Sequence, residues 1–181
     1  GKTIDVGGGK SSEYISFLQT EAGGEIVTFD VRHGDAVDFE CDSLPAEDGA
    51  YDTVLFLNVM EHIFHYQHIA NEVVRITKPG GQLIGFVPFL MWYHADHRDF
   101  FRYTHEALDK IFAETGVSKI DIEPIEMGPY VAAGHMFLLS LPRLVRVPVF
   151  AMLYGLDKLI GRFVKRTDPK YVLGYFFVIR P

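Results

Sequence analysis

Short apolar runs alternate with amphipathic stretches along most of the chain. Helical spacing of apolar residues predicts helices at 11–20, 69–76 and 104–114. Runs rich in β-branched and aromatic residues predict strands at 3–6, 25–29, 37–41, 51–57, 82–88, 119–125 and 171–179. Strands that are apolar almost throughout are typical of a parallel sheet buried on both faces, with helices as right-handed crossovers. The pattern therefore predicts a single α/β domain over residues 1–181.

A glycine turn, Gly7-Gly8-Gly9, lies directly after the first predicted strand and directly before a predicted helix. Glycine lets a ligand approach the backbone closely, and the N-terminus of the helix offers free N–H groups. Asp30 ends the second predicted strand, 21 residues after Gly9, where a carboxylate can accept hydrogen bonds from both hydroxyls of a ribose. The alternatives are a turn without a ligand and a surface aspartate that closes a turn.

Two further carboxylates lie near the same predicted edge of the sheet. Asp42 ends the third predicted strand, where it and a neighbouring N–H can hydrogen-bond to an adenine. The alternative is an aspartate that closes a local turn before Pro45. Asp5 lies inside the otherwise apolar first strand, and a buried carboxylate needs a partner. The N–H groups of the glycine turn or the ammonium group of a ligand would supply one.

The order and spacing of these motifs, from residue 3 to about 88, resemble those of the class I S-adenosylmethionine-dependent methyltransferases of the type 11 kind. The matching segments are IDVGGG at 4–9, Asp30, CDSLP at 41–45, YDTVL at 51–55, NVMEHI at 58–63 and EVVRITKPGG at 72–81. The resemblance implies a Rossmann-like, seven-stranded, mostly parallel sheet with helices on both faces. It also implies the strand order 3-2-1-4-5-7-6, an antiparallel strand 7, and S-adenosyl-L-methionine as the cofactor.

The resemblance also implies cofactor-binding roles for individual residues. Asp5 and the glycines would contact the methionine part, Asp30 would hold the ribose, and residues 42–44 would contact the adenine. The implied set is Asp5, Gly7, Gly8, Gly9, Asp30, Val31, Cys41, Asp42, Ser43, Leu44, Asn58 and Val59. Members of this family usually carry a helix and some tens of residues before strand 1. We therefore expect either a fragment or an unusually short member.

Three histidines are candidate catalytic bases. His94 and His97 lie in a polar cluster directly after the fifth predicted strand, and sites in open α/β sheets form beyond the carboxyl ends of strands. Either imidazole can take a proton from an acceptor hydroxyl, and His62, after the fourth strand, is the third candidate. The alternative is a network of aspartate, histidine and arginine that only holds the loop. A metal bound by His94 and His97 with Asp96 or Asp99 is a further alternative, but we expect no metal.

The composition disfavours some classes of function and indicates the cellular compartment. The chain has 17 Lys+Arg, 24 Asp+Glu and a net charge of −7, which disfavours a general nucleic-acid binder because phosphate neutralisation needs surplus Lys and Arg. A single cysteine, Cys41, excludes an internal disulfide and a cysteine-based zinc site. A reducing cytoplasm is therefore the expected setting.

The charge is unevenly distributed. Residues 1–142 carry 9 basic and 22 acidic side chains, a net charge of −13, whereas residues 143–166 carry 6 and 1, a net charge of +5. This basic part belongs to an apolar, helical segment at about 138–166, which we expect Pro142 and Pro148 to break. We interpret the segment as an insertion between the last two strands. It would form a lid or extra core layer, a dimer contact, or a peripheral contact with the inner face of an anionic membrane or with a lipid-linked substrate.

We therefore expect an S-adenosylmethionine-dependent methyltransferase that methylates an oxygen of a small-molecule or glycan-linked acceptor. The link to glycans comes from a looser resemblance of Pro88-Phe89, His94 and DFFRYT at 99–104 to methyltransferase-like proteins encoded with polysaccharide enzymes. One alternative is a non-enzymatic methyltransferase-like binding module. Another is an NAD-dependent dehydrogenase, which shares the glycine turn and the ribose carboxylate but gives no reason for DSLP at 42–45 or KPGG at 78–81.

Overall fold

The structure, a computed structural model, describes residues 1–8, 26–29, 39–40, 42–95, 98–163 and 170–181. The strands in this part of the chain are β1 (Thr3–Val6), β2 (Ile26–Phe29), β3 (Tyr51–Leu57), β4 (Thr77–Pro88), β5 (Lys119–Glu126) and β6 (Val172–Arg180). The helices are α1 (Tyr66–Ile76), α2 (His105–Ala113), α3 (Pro129–Phe137) and α4 (Arg143–Gly161), with short 3₁₀ turns at Met60–His62 and Leu138–Ser140. The helix predicted at 11–20 lies outside the described residues.

The described strands form one sheet in the order β2-β1-β3-β4-β6-β5. β1 pairs in parallel with β2 and β3, and β3 pairs in parallel with β4. β6 runs antiparallel to both β4 and β5. This is the expected order with the third predicted strand left out, and the last strand is antiparallel as expected. Most of that third strand, predicted at 37–41, lies outside the described residues, and Phe39 and Glu40 form a turn. The α/β class is confirmed, with a six-stranded mixed sheet over the described residues.

Helices α1 and α2 lie where the apolar pattern predicts helices, and both bury an apolar side in the core. α1 buries Ile69, Val73 and Ile76, whose spacing of four and three residues places them on one side of the helix. Phe112 of α2 packs on Phe177 of β6 with the ring centroids 5.1 Å apart. These contacts anchor the helices to the sheet and leave its carboxyl-terminal edge for the loops that follow β1 and β3.

Helices α3 and α4 form a hairpin between β5 and β6, which we call the α3–α4 hairpin (129–161). The segment expected to be helical at about 138–166 belongs to this hairpin, whose first helix begins at Pro129. Its interpretation as an insertion stays a prediction. The expected break at Pro148 is wrong, because α4 continues through this residue. A proline there removes one intrahelical hydrogen bond, to the carbonyl of Leu144, near the start of a 19-residue helix. Pro142 directly precedes α4, a position where its fixed φ is tolerated.

The two helices of the hairpin are joined by one buried apolar contact and one acidic side chain. Leu153 is buried against Gly134, and a Cβ added to Gly134 would lie 2.3 Å from Cδ1 of Leu153. The carboxylate of Asp157 accepts hydrogen bonds from the N–H groups of Tyr130 (3.1 Å) and Val131 (2.8 Å) in the first turn of α3. The rest of α4 is largely exposed although it is rich in apolar residues. No helix in the described part of the chain is long and apolar enough to cross a membrane.

Candidate functional site

The chain turns sharply where β1 ends beside β3. Gly7 has φ of +89°, a left-handed conformation that favours glycine, and its N–H donates to the carbonyl of Phe29 at 2.7 Å. A Cβ on Gly7 would lie 2.4 Å from Cγ2 of Val59. The glycine turn therefore packs directly against the segment that leaves β3. No larger residue fits at this position without moving one of the two segments.

Asp5 and Asn58 flank this turn. Asp5 is fully buried, and its carboxylate lies against Gly8, where an added Cβ would be 1.7 Å from Oδ2. Asn58 has φ of +54°, and its N–H donates to the carbonyl of Phe86 at 3.0 Å. The structure thus brings together five of the predicted residues, namely Asp5, Gly7, Gly8, Asn58 and Val59. Gly9, Asp30, Val31 and Cys41 lie outside the described residues.

The loop at 42–48 carries the other predicted cofactor residues and is held by α1. The N–H of Leu44, which is buried, donates to Oε2 of Glu72 at 2.7 Å. Arg75 pairs with the same carboxylate at 2.7 Å and donates to the carbonyl of Leu44 at 3.0 Å. The hydrogen bonds to its carboxylate lower the pKa of Glu72, and the bond from Arg75 has the largest effect. Asp42 and Ser43 are exposed on this loop. Sequence reasoning missed the supporting pair, whose signal is its three-residue spacing on one helix.

A second group of side chains follows β3. The carboxylate of Glu61 is fully buried, and neither of its oxygens has a hydrogen-bond partner among the described residues. Burial raises the pKa of Glu61 to about 7 because it penalises the charged form. Nε2 of His62 lies 3.7 Å and Nε2 of His94 lies 3.9 Å from Oε1 of Glu61. We call Glu61, His62 and His94 the Glu61 cluster.

The loop between β4 and α2 places His94 in this cluster. The N–H of His94 donates to Oδ2 of Asp99 at 2.9 Å. Arg102 binds the two carboxylate oxygens of Asp99 through its two terminal nitrogens, and this pairing lowers the pKa of Asp99 to about 2. The hydroxyl of Tyr103 donates to the carbonyl of Met60 at 3.2 Å and ties the loop to the segment after β3. The predicted aspartate–arginine network is therefore present.

Two of the three predicted histidines meet in the structure. The rings of His62 and His94 are 5.1 Å apart in an edge-to-face arrangement, whereas His97 lies outside the described residues. Glu61 is the functional candidate that sequence reasoning missed. Its signal was an acidic residue placed among the apolar residues Val59, Met60 and Ile63, where burial without a partner is costly.

Comparisons with known proteins agree with this arrangement. Residues 4–85 match the family model described as a methyltransferase domain. The chain is 27% identical over 89 residues to the demethylmenaquinone methyltransferase of Bacillus cereus (strain AH187), covering 48% of this chain and 35% of that protein. It is 40% identical over 50 residues to an uncharacterized methyltransferase of Mycobacterium sp. (strain JLS), covering 28% of this chain and 19% of that protein. The chain thus spans about a third of the length of the first curated relative and about a fifth of the length of the second.

The fold has solved counterparts. The crystal structure of a SAM dependent methyltransferase from Archaeoglobus fulgidus superimposes with a TM-score of 0.63 at 15% sequence identity. The match covers 99% of this chain and 86% of that one. At this identity the similarity demonstrates the Rossmann-like methyltransferase fold, in agreement with the expectation from the sequence.

Proposed function

We propose that the chain is a class I S-adenosylmethionine-dependent methyltransferase that methylates an oxygen of a small-molecule or glycan-linked acceptor, in keeping with the methyltransferase-domain match over residues 4–85. S-adenosylmethionine is the methyl donor in this family. The observation that carries the proposal is the contact of the glycine turn with Val59 above the buried carboxylate of Asp5. This contact joins the ends of β1 and β3, the place where open α/β sheets bind nucleotides.

The residues at this edge fit the donor by their chemistry. Asp5 is a buried carboxylate at a turn of small residues, which suits a ligand ammonium. Exposed Asp42 and Ser43 offer hydrogen-bonding groups for an adenine, and we assign Asn58 and Val59, which follow β3, to the same cofactor site. Gly9, Asp30, Val31, Cys41 and Leu44 complete the set that we propose. When bound, the donor supplies a methyl group on a positively charged sulfur, which is already a good leaving group.

The Glu61 cluster is the proposed acid–base group. A neutral imidazole of this cluster can accept the proton of an acceptor hydroxyl. Nε2 of His62 or His94 is the accepting atom, and the carboxylate of Glu61 lies close enough to stabilise the imidazolium that forms. His97 remains a third proposed base.

Calorimetry with S-adenosylhomocysteine tests the cofactor assignment. We expect the wild-type chain to bind it, and we expect the Asp5→Asn and Asp42→Asn variants to bind it more weakly. Asp109→Asn, an exposed aspartate on α2, is the matched control and should bind as the wild type does. Binding of NAD in place of S-adenosylhomocysteine would overturn the proposal. Binding without methylation of any acceptor pool would instead support a binding module.

We further propose that the α3–α4 hairpin contacts an anionic membrane surface. The side chains of Leu144 and Val147 in α4 are 92% and 74% exposed, and that of Phe163, two residues after the hairpin, is 81% exposed, which is unusual for large apolar groups so close together in the chain. Arg143 and Arg162 are exposed at the two ends of α4, and residues 143–166 carry a net charge of +5 in an otherwise acidic chain. Exposed apolar groups flanked by basic ones are typical of helices that lie on anionic lipid.

Flotation with liposomes tests this surface. We expect the chain to float with vesicles that contain anionic phosphatidylserine and to remain in solution with neutral phosphatidylcholine vesicles. The double variant Leu144→Ser/Val147→Ser should lose flotation, whereas Ile125→Ser, an exposed apolar residue on β5, is the control and should retain it. Equal recovery with both vesicle types would remove the proposal. Concentration-dependent self-association of the wild type alone would assign the hairpin to a dimer contact.

A further inference from the structure

Three electron-pair donors converge in the Glu61 cluster, directly after β3. One ligand atom from each of Glu61, His62 and His94 lies within 4.8 Å of the other two. The carboxylate is fully buried, and the described residues offer neither of its oxygens a hydrogen bond. Burial of an unpartnered carboxylate costs several kcal/mol unless a positive charge or a proton compensates it. The cluster is therefore a place that favours a bound cation.

The orientation of both imidazoles indicates that this cation is a metal ion. Nδ1 of His62 donates to the carbonyl of Arg98. Nδ1 of His94 faces the carbonyl of Trp92 at 3.3 Å and Oδ2 of Asp99 at 3.6 Å. With a hydrogen on each Nδ1, both Nε2 lone pairs face the carboxylate of Glu61. Histidines whose second ring nitrogen is held by a carbonyl or a carboxylate are typical metal ligands, since this arrangement fixes the tautomer and the ring orientation.

We propose that Glu61, His62 and His94 bind a divalent first-row transition-metal ion. Two imidazole nitrogens and one carboxylate oxygen suit Zn²⁺, Mn²⁺, Fe²⁺ or Co²⁺ and leave coordination positions open. Metal–ligand bonds of about 2.1 Å require ligand atoms about 3.4 Å apart in a tetrahedral site. The separations of 3.7 and 3.9 Å from Oε1 of Glu61 are only slightly wider. The side chains of His62 and His94 are 17% and 27% exposed, so an ion can reach them from solvent.

The site differs from the metal alternative that the sequence suggested. That alternative joined His94 to His97 and to Asp96 or Asp99, whereas the structure directs Nε2 of His94 toward Glu61. Asp99 acts here as a positioning residue, because it accepts the backbone N–H of His94 and is itself held by Arg102. Asp96 and His97 lie outside the described residues.

The role of the metal in the reaction rests on the proposed methyl transfer. The proposal that a metal binds does not rest on it. When bound, the ion would act as a Lewis acid and lower the pKa of an acceptor hydroxyl that binds it, so that the proton would pass to water more readily. In that case His62 and His94 hold the ion and do not take the proton. Methyl transfer would then require the metal, whereas a histidine base would work without it.

Titration of the metal-free full chain with Co²⁺ tests the site directly, since a bound Co²⁺ ion has a visible absorption spectrum that reports its ligands. We expect one equivalent to bind. Glu61→Gln, His62→Gln and His94→Gln should each weaken binding by about 100-fold or more, and Asp99→Asn should weaken it by about 10- to 100-fold. The matched controls His105→Gln and Glu114→Gln are exposed residues on or next to α2, and they should leave the affinity unchanged.

Thermal unfolding provides the fold control and a second readout. Each variant should unfold cooperatively, and Co²⁺ should raise the Tm of the wild type and of both controls but not of the three ligand variants. Failure of the wild type to bind Co²⁺, or binding that survives all three ligand substitutions, would overturn the inference. A parallel titration of the metal-free chain with S-adenosylhomocysteine separates the two proposals. Its binding without Co²⁺ binding rejects the metal alone, and the reverse result rejects the methyl-transfer proposal alone.

Discussion

The carboxyl-terminal edge of the sheet and the α3–α4 hairpin depart from the usual distribution of polar and apolar residues in opposite ways. The first buries the carboxylates of Asp5 and Glu61 completely. The second exposes most of the side chains of Leu144 and Val147. Burial of Glu61 without a hydrogen bond among the described residues and exposure of Leu144 do not by themselves stabilise the chain, because a buried charge loses hydration and exposed apolar surface gains nothing from folding. These two departures underlie the two binding surfaces that we propose.

The two regions also differ in how tightly the surrounding structure constrains them. At the sheet edge, Gly7 and Gly8 have no room for a Cβ, since Val59 and Asp5 occupy that space. In α4, an added Cβ on Gly155 would meet nothing within 4 Å. We conclude that the turn at the sheet edge is tightly packed, whereas most of α4 is exposed and loosely packed.

The largest expected effect is from Gly7→Ala. The substitution costs about 1–2 kcal/mol for the left-handed backbone and a further 1–3 kcal/mol for overpacking against Val59, a loss of about 3 kcal/mol in the free energy of unfolding. Urea denaturation of both proteins measures it. Gly80→Ala is the matched control, because Gly80 has φ of +79° but free space around it, and it should lose only about 1 kcal/mol. Equal losses would mean that the contact with Val59 is unimportant.

Glu72→Gln should lower the free energy of unfolding by about 1.5–3 kcal/mol at pH 7, because it removes charged hydrogen bonds that hold the loop at 42–48. The pKa of Glu72 is lowered in the folded protein, so the stability that its charge contributes is present above the unfolded pKa of about 4.3 and is lost as the pH falls through the folded value. The difference between wild type and variant should shrink below about pH 4.

Denaturation at several pH values measures this dependence. Glu114→Gln, at an exposed position next to α2, is the control and should change stability by no more than about 0.5 kcal/mol at any pH. A difference between wild type and Glu72→Gln that stayed constant down to pH 3 would show that the side chain acts through packing and not through its charge.

Glu61→Met should stabilise the metal-free protein by about 1–2 kcal/mol at pH 7, because it replaces an unpartnered buried carboxyl group by an apolar side chain of similar length. The pKa of Glu61 is raised to about 7, so the folded wild type keeps a proton that the unfolded chain releases above about pH 4.3. The advantage of the variant should therefore grow as the pH rises from about 4 to 7. Thermal unfolding in the presence of a chelator measures it, and destabilisation by the substitution would contradict this account.

The smallest expected effect lies in the hairpin. Gly155→Ala should stabilise the protein by about 0.5–1 kcal/mol, because alanine restricts the unfolded chain and favours the helix without meeting a neighbour. Its sign is opposite to that of Gly7→Ala, so the same substitution separates the two regions. Chemical denaturation measures both. A loss of stability in Gly155→Ala would mean that a partner segment covers this side of α4.

The fold was largely predictable from the sequence, whereas the site was predictable only in part. The spacing of apolar residues located α1, α2 and the two last strands, and the run of glycines located the turn after β1. Both signals are local in the sequence. The continuation of α4 through Pro148 was not predictable, since proline removes one hydrogen bond and weakens a helix locally, and the sequence does not show whether the rest of the helix outweighs that loss. The roles of Glu72 and Arg75 were hidden for a similar reason, because the loop that they hold is distant in the chain.

The sequence by itself determined the α/β class, the order of the motifs around the glycine turn and the charge contrast of residues 143–166, because each is written in neighbouring residues. Only the tertiary structure decided that Glu61 is buried without a hydrogen-bond partner in the described part of the chain, and that His94 reaches it. The physical reason is that burial and the meeting of side chains from separate loops depend on how β3 and β4 pair. No local pattern of residues encodes that distance.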